Sequence, residues 1–242
     1  LALHARNASE SAHPELWRGL VGAWAPALGY QGSALYDLSG NGNKGAIQVP
    51  TWNADRFANV VDFPASTSIE TTGPDNNFNE ITVSARFKFT GNDFGSLVER
   101  DDWNNAEGFA VYIWDDGRVH WGQGSNGKVV GSVDVRDNSW HHIIGTLKDD
   151  NVGRAFVLYV DNELDNSSTT SLAIAEHTTG PYIGARKGST WRFRGLISDV
   201  YIYNKALNTS EISTLFVDPL SPFRLRDDTA LATAAMFGET EK

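Results

Sequence analysis

ITVSARFKF, residues 81–89, alternates without a break: Ile81, Val83, Ala85, Phe87 and Phe89 fall on one side, Thr82, Ser84, Arg86 and Lys88 on the other. Successive strand side chains point to opposite faces, so this period of two marks a β-strand with one side against a core. The same signal repeats outward from it. GFAVYIWDDGRVHWGQG (108–124) reads as two strands folded about Asp115, Asp116 and Gly117, where Asp-Gly favours a tight hairpin turn. WHHIIGTLKDDNVGRAFVLYVDNELD (140–165) gives a second hairpin around Asp149 to Gly153. YIGARKGSTWRFRGLISDVYIYNKAL (182–207) gives two more strands, the last at Gly195–Tyr203.

One helix is expected. Asn208 is placed to cap it, Glu211 three residues on to reach back, and Ile212, Leu215 and Phe216 stand at helical spacing. Asp218-Pro219 ends it, and a polar, alanine-rich tail follows. No internal repeat and no domain boundary shows before Pro219. The chain therefore divides into an N-terminal arm (1–16), one domain (17–218) and a C-terminal tail (219–242). About a dozen short strands with one late helix imply an all-β fold, a two-sheet antiparallel jelly-roll sandwich with one short C-terminal helix.

Composition narrows the function classes. The 242 residues are 40% apolar, enough for a sizeable core, and no apolar run is long enough to cross a bilayer, so membrane insertion is not expected. A formal charge of −10 argues against nucleic acid, whose phosphates call for clustered Lys and Arg. Cysteine is absent, which removes disulfides, thiolate metal sites and cysteine nucleophiles. The opening LALHARNASESAHPELW lacks the apolar stretch of a signal peptide, so a signal was removed or none existed.

YDLSGNGNKGAI (36–47) matches the letters of a dinucleotide-binding loop at Gly40, Gly42 and Gly45. The context does not match, because a short β-prone run follows where a helix N-terminus is needed to receive a phosphate. Asp37 and Ser39 are placed to bond the backbone just downstream, and Gly40, Asn41 and Gly42 tolerate positive φ, so a structural turn is expected.

With these stretches, joined by GLVGAWAPALG (19–29) and FRGLISDVYIYNKALNTSEISTLF (193–216), the sequence resembles the laminin-G-like group of the concanavalin A-like lectin and glucanase superfamily. The resemblance covers roughly residues 20–216. It implies a curved jelly roll whose first and last strands pair, and it makes the Asp37–Gly45 segment a family turn. It does not bring a function with it, since this fold serves lectins, adhesion modules, glycosidases and structural parts.

Glycosidases of this superfamily alternate acidic residues onto one strand face, and a retaining mechanism needs two placed carboxyls. The nearest approach, Glu163-Leu164-Asp165, suits a hairpin end, and Glu99, Asp101 and Asp102 suit a loop, so no enzyme is expected. His141-His142 cannot chelate one ion together from adjacent strand positions; Trp140 and one histidine are expected inside the sandwich, the other histidine on its outer surface. Calcium is common in relatives, and Asp62, Asp101, Asp102 and Asp149 are available oxygen donors, but no metal site is assigned and no cofactor is required. Aromatic residues near loops carry the stronger signal, because a sugar stacks its C–H face on an indole while polar side chains bond its hydroxyls. Trp103, Trp114, Trp121 and Trp191 are the candidate platforms, with Asp102, Asn104 and Arg118 as polar partners; Trp17 and Trp24 are assigned to the structure. Two function classes stay open. One is glycan binding, as in a secreted lectin; the other is a structural module of a virion or other extracellular particle, docked on neighbouring protein subunits; a glycoside hydrolase is the further alternative, ranked below both.

Overall fold

The computed structural model describes residues 4–226, apart from 56–57, 65, 75–78, 103–106, 124–126, 150–152, 171–178 and 187–190. Two antiparallel sheets stack face to face. The first runs Glu163–Thr170, Arg154–Val160, Trp140–Asp149, Glu80–Phe89, Gly195–Tyr203, Ala58–Phe63 and Trp52–Asp55, with Leu20–Trp24 also paired to Gly195–Tyr203. The second runs Gly127–Asp134, Arg118–Gln123, Glu107–Ile113, Gly95–Asp102, Tyr182–Ile183, Ser68–Thr71, Gly45–Gln48, Ala34–Leu35 and Tyr30–Gln31. The first and last long strands do pair, with Ala23 opposite Tyr201 and Trp24 opposite Val200.

The strand Glu80–Phe89 sits at the middle of the first sheet, between Trp140–Asp149 and Gly195–Tyr203. Its apolar set behaves as its alternation requires: Ile81, Val83, Ala85, Phe87 and Phe89 enter the core between the sheets, where Trp24, Phe109, Val111, Ile113 and Phe156 meet them. The opposite face differs from the expectation of one buried side. Thr82, Ser84 and Arg86 are buried as well. Above them lies a second apolar layer of Leu16, Leu20, Ile144, Tyr201, Tyr203, Leu207, Ile212, Leu215 and Phe223.

The helix Thr209–Val217 roofs that layer. Its start is as read from sequence: the Asn208 side chain accepts from the backbone N–H groups of Ser210 and Glu211, and Glu211 returns a bond to the Asn208 N–H. Such reciprocal capping satisfies donors that the first turn leaves open. At the other end, the Arg86 guanidinium donates to the carbonyls of Leu215 and Phe216 at 3.1 and 3.0 Å, a cation placed on the negative end of the helix. Residues from both chain ends join the roof. Ala5, Ser11 and Leu16 are fully buried, and the backbone of 5–12 bonds that of 223–226 through Ala5 to Phe223, Ala12 to Arg224 and Arg226 to Glu10.

The stretch 140–142 corrects two expectations, that Trp140 fills the sandwich and that one histidine lies on an outer surface. His141 points toward the inter-sheet core beside Phe87, and burial, which pulls its pKa down, is outweighed by the carboxylates of Asp161 and Asp137, so the pKa is raised. His142 is not on an outer surface: it bonds Ser84 Oγ at 2.8 Å and stacks on Phe216 beneath the helix, where burial lowers its pKa to about 3. Trp140 shares the His142 side of the strand and stays half-buried, giving its indole N–H to Asp55.

The glycine-rich turn also finds its role. Asp37 accepts from the backbone of Ala23, Ser39 and Asn43, and Asn43 donates to the Val21 carbonyl. The loop is thereby tied along the first strand, with Gly40 and Gly42 at φ of +86° and +78°.

Candidate functional site: an aromatic shelf on the second sheet

In the strand Glu107–Ile113, Phe109, Val111 and Ile113 face the core, which leaves Tyr112 on the outward side; in Arg118–Gln123, Val119 and Trp121 face inward and His120 outward. The register sets Tyr112 directly opposite His120, and the two rings lie 4.9 Å apart. Three loops bring further rings onto this pair.

The hairpin turn supplies Trp114. Gly117 donates its N–H to the Trp114 carbonyl at 2.9 Å and takes a φ of +81°, which explains the glycine at the end of Trp-Asp-Asp-Gly. Beneath the turn Arg136 donates to the carbonyls of Asp115 and Asp116 and is itself held by Asp134. The turn is therefore pinned while the Trp114 side chain stays half-buried at its root. Phe94, from the loop before Gly95–Asp102, meets the Trp114 indole edge-on at 4.4 Å and lies nearly parallel to Trp191, at 5.0 Å and 17°. Trp191 comes from the segment closed by the Arg186 N–H on the Trp191 carbonyl, and the neighbouring Phe193 plugs that segment into the core against Phe63, Phe87 and Phe89.

Polar groups brace the shelf from below. The Arg186 guanidinium lies 4.8 Å from the Trp191 ring centre, a cation over an aromatic face. Its Nε is 2.9 Å from a carboxylate oxygen of Glu99, and the other Glu99 oxygen accepts from Ser96 Oγ. Glu99 is 3% exposed, so a partner for its charge is needed there.

The four candidate tryptophans separate. Trp114 and Trp191 come together, 5.2 Å apart, half-buried and facing the same shelf. Trp121 does not join them: it is fully buried between the sheets, donates its indole N–H to the Thr146 carbonyl at 3.0 Å and packs against Phe156. It shares a hairpin with Trp114, but one strand position separates it from the outward-facing His120, and that decides its face. Trp103 and Asn104 lie outside the described residues, as does the Asp102 side chain. Arg118 is exposed beside the hairpin turn with its Nε 3.8 Å from Asp116. Phe94, Tyr112, His120 and Arg186 were not singled out from sequence; the one hint was an aromatic residue inside the turn-forming run Gly-Asn-Asp-Phe-Gly.

A use of the indole N–H distinguishes the tryptophans further. Trp17, Trp24, Trp52, Trp121 and Trp140 each donate theirs to a backbone carbonyl or to a carboxylate in the fold. Among the described residues the Trp114 indole has no such acceptor, and it packs against the rings of Phe94, Tyr112, His120 and Trp191. Five tryptophans are thus fastened as structural parts are, and Trp114 is not.

Of the two acidic groups considered for catalysis, Glu99, Asp101 and Asp102 stand in the strand Gly95–Asp102 and not in a loop, and the side chains of Asp101 and Asp102 lie outside the described residues; Glu163 is exposed, and Glu99 and Asp165 are engaged within the fold. Glu99 is ion-paired as above, and Asp165 accepts from the Ser132 N–H and hydroxyl, joining the free edges of the two sheets. Among the described residues no three His, Asp or Glu side chains gather as a metal site would require. No helix among the described residues is long and apolar enough to cross a membrane.

The pairing of first and last strands, the two stacked sheets and the final capped helix define a lectin-like jelly roll. A family model of the concanavalin A-like lectin/glucanases superfamily, of laminin-G type, matches residues 63–213, and the chain belongs to that family. No curated protein sequence matches it. Among solved structures it is similar to the binding domain of Paraclostridial Mosquitocidal Protein 1, with 19% identity, a TM-score of 0.65, and coverage of 82% of this chain and 52% of that one. The binding domain of Botulinum Neurotoxin DC, solved in complex with SialylT, shows 14% identity and a TM-score of 0.63, over 85% of this chain and 52% of that one. A Trypanosoma rangeli sialidase shows 19% identity and a TM-score of 0.60, over 83% of this chain and 33% of that one. The chain thus spans about half the length of the toxin domains and a third of the sialidase, and at these identities the likeness is one of fold.

Proposed function

We propose that the chain is a non-catalytic binding module that receives a glycan on the shelf of Phe94, Trp114 and Trp191. The observation that carries this is Trp114: a half-buried indole at a pinned hairpin turn, grouped with two other rings, whose N–H no described group of the fold takes up. An indole placed so offers a face to a sugar ring and a donor to one of its hydroxyls. Glu99 is held by Arg186 and Asp165 by Ser132, on different sheets, which supports binding without hydrolysis by that pair, since hydrolysis needs two carboxyls placed across one bond. The proposal needs no cofactor.

Stacking on one indole contributes on the order of 1 kcal/mol beyond area burial, so a single site binds weakly. We place the module outside a cell or on a virion surface, where many copies act together and multiply weak contacts. The test is a glycan array probed with the wild type and with Trp114→Ala and Trp191→Ala. Binding that falls tenfold or more in Trp114→Ala supports the proposal, and variants that bind as wild type does refute it. An array with no ligand at all leaves neighbouring protein subunits as the occupant of the shelf.

A further inference from the structure

His120 is buried, 5% exposed, and neither of its ring nitrogens has a hydrogen-bond partner. A neutral imidazole carries one donor and one acceptor, and leaving both unmatched away from water costs stability. The fold contains other unmatched polar atoms, among them the Tyr203 hydroxyl, but that one is sealed beneath the helix in the second apolar layer. His120 differs in position. It lies on the outward side of the second sheet, where the Trp114 indole stacks against it, nearly parallel at 28° and 5.8 Å.

That indole belongs to the tryptophan of the hairpin whose N–H no described group accepts, at the root of a turn that Arg136 holds in place. Beneath the indole, Tyr112 lies 4.9 Å from the imidazole and supplies an apolar wall. Charges of both signs act on His120: Lys128 from the neighbouring strand and Arg118 from its own, against Asp115 and Asp116 of the turn. A site with two positive and two negative neighbours favours neither an anion nor a cation. A hydroxyl that both donates and accepts matches it.

We propose that His120 is the hydrogen-bonding floor of a subsite for a neutral saccharide, closed by Trp114 in the free protein and opened when the indole swings aside to stack on the sugar. The two ring nitrogens then bond hydroxyls of the sugar, one giving and one receiving, and the Tyr112 ring packs beside it. This rests on the shelf being a glycan site, and it adds the class of sugar and the residue that reads it.

The experiment compares wild type, Trp114→Ala and His120→Phe by calorimetric titration with lactose, cellotriose and maltotriose, with 3′-sialyllactose as the anionic arm. Phenylalanine keeps the ring stack and removes both unmatched nitrogens. His120→Phe is expected to bind at least tenfold more weakly to whichever neutral sugar the wild type prefers, while melting at the same temperature as wild type or higher. In the wild type, the ring ¹⁵N signals of His120 are expected to shift as that sugar saturates. If His120→Phe binds normally while Trp114→Ala does not, the floor is overturned and the shelf stands. If no sugar binds wild type, both fall. A preference for sialyllactose overturns the neutral class. Should His120→Phe fold poorly, the ¹⁵N measurement decides alone: signals unmoved at saturation overturn the proposal.

Discussion

Each sheet turns one face toward its partner and one away, and the two outward faces are finished in different ways. On the first sheet the helix and residues 5–16 and 219–226 form a roof, and several polar side chains beneath it find partners there, Arg86 in the helix carbonyls, Ser84 in His142 and the Tyr201 hydroxyl in the Pro219 carbonyl, while the Tyr203 hydroxyl stays unmatched and sealed. On the second sheet Trp114 lies against Tyr112 and His120, Trp191 against Tyr112, and Phe94 against both indoles, and the imidazole finds no partner. A buried polar group that the fold satisfies serves the fold; one left unmatched calls for another explanation, and for His120 the proposed one is a ligand. The difference lies in what covers the face, since both sheets alternate alike.

The largest effects should fall on the closed side and in the core. Arg86→Ala strands the buried Asp199, whose carboxyl sits 3.9 Å from the guanidinium, and frees two helix carbonyls. A loss of about 3–5 kcal/mol in urea unfolding is expected, as for breaking a buried ion pair. Trp121→Ala should cost a similar amount, about 3–5 kcal/mol, because it empties a fully buried site. A loss below 1 kcal/mol in Trp121→Ala would return it to the candidate ligand platforms.

The pH dependence sharpens the comparison. Burial lowers the His120 pKa to about 4, with Lys128 assisting. Between the unfolded value near 6.5 and 4, the unfolded chain holds the extra proton, so this group adds stability above pH 6.5 that is lost as pH falls toward 4. His120→Phe should therefore lose less stability than wild type between pH 6.5 and 4 in paired urea titrations. His142 is lowered to about 3 and Asp199 is raised to about 6, both by burial, but they are common to the two proteins and cancel in the difference. Parallel curves would place His120 in contact with water.

Smaller effects remain. Asn208→Ala removes the cap of the roofing helix and should cost about 1 kcal/mol. Trp114→Ala should cost no more than about 1 kcal/mol of stability, because it gives up ring contacts while the Arg136 clamp keeps the turn. A large loss there would make Trp114 a structural residue like Trp121.

The alternation of residues 81–89, the Asp-Asp-Gly hairpin and the Asn208–Glu211 cap were legible because each is a local rule: pleat, turn conformation and open N–H groups act within a few residues. The site was only half legible. Trp114 and Trp191 could be picked out as loop-proximal aromatics, but Trp121 carried the same label from the same hairpin. Separating them needed the phase of the strand relative to the core. A bulge shows how easily phase is lost: between Ile197 and Asp199 the register shifts, so Ile197 and Val200 share the inner face and Tyr201 turns outward.

By itself, then, the sequence determined the strands, the turns, the capped helix and the family, since these follow from neighbouring residues and from motifs that recur. The tertiary structure alone decided that the outer face of the first sheet is roofed, that Trp121 is core, and that Phe94, Trp114, Trp191 and His120 meet. Those residues are brought from separate loops and strands by sheet register and by loops folding back over it, and no pattern within a short window records which ring will cover which.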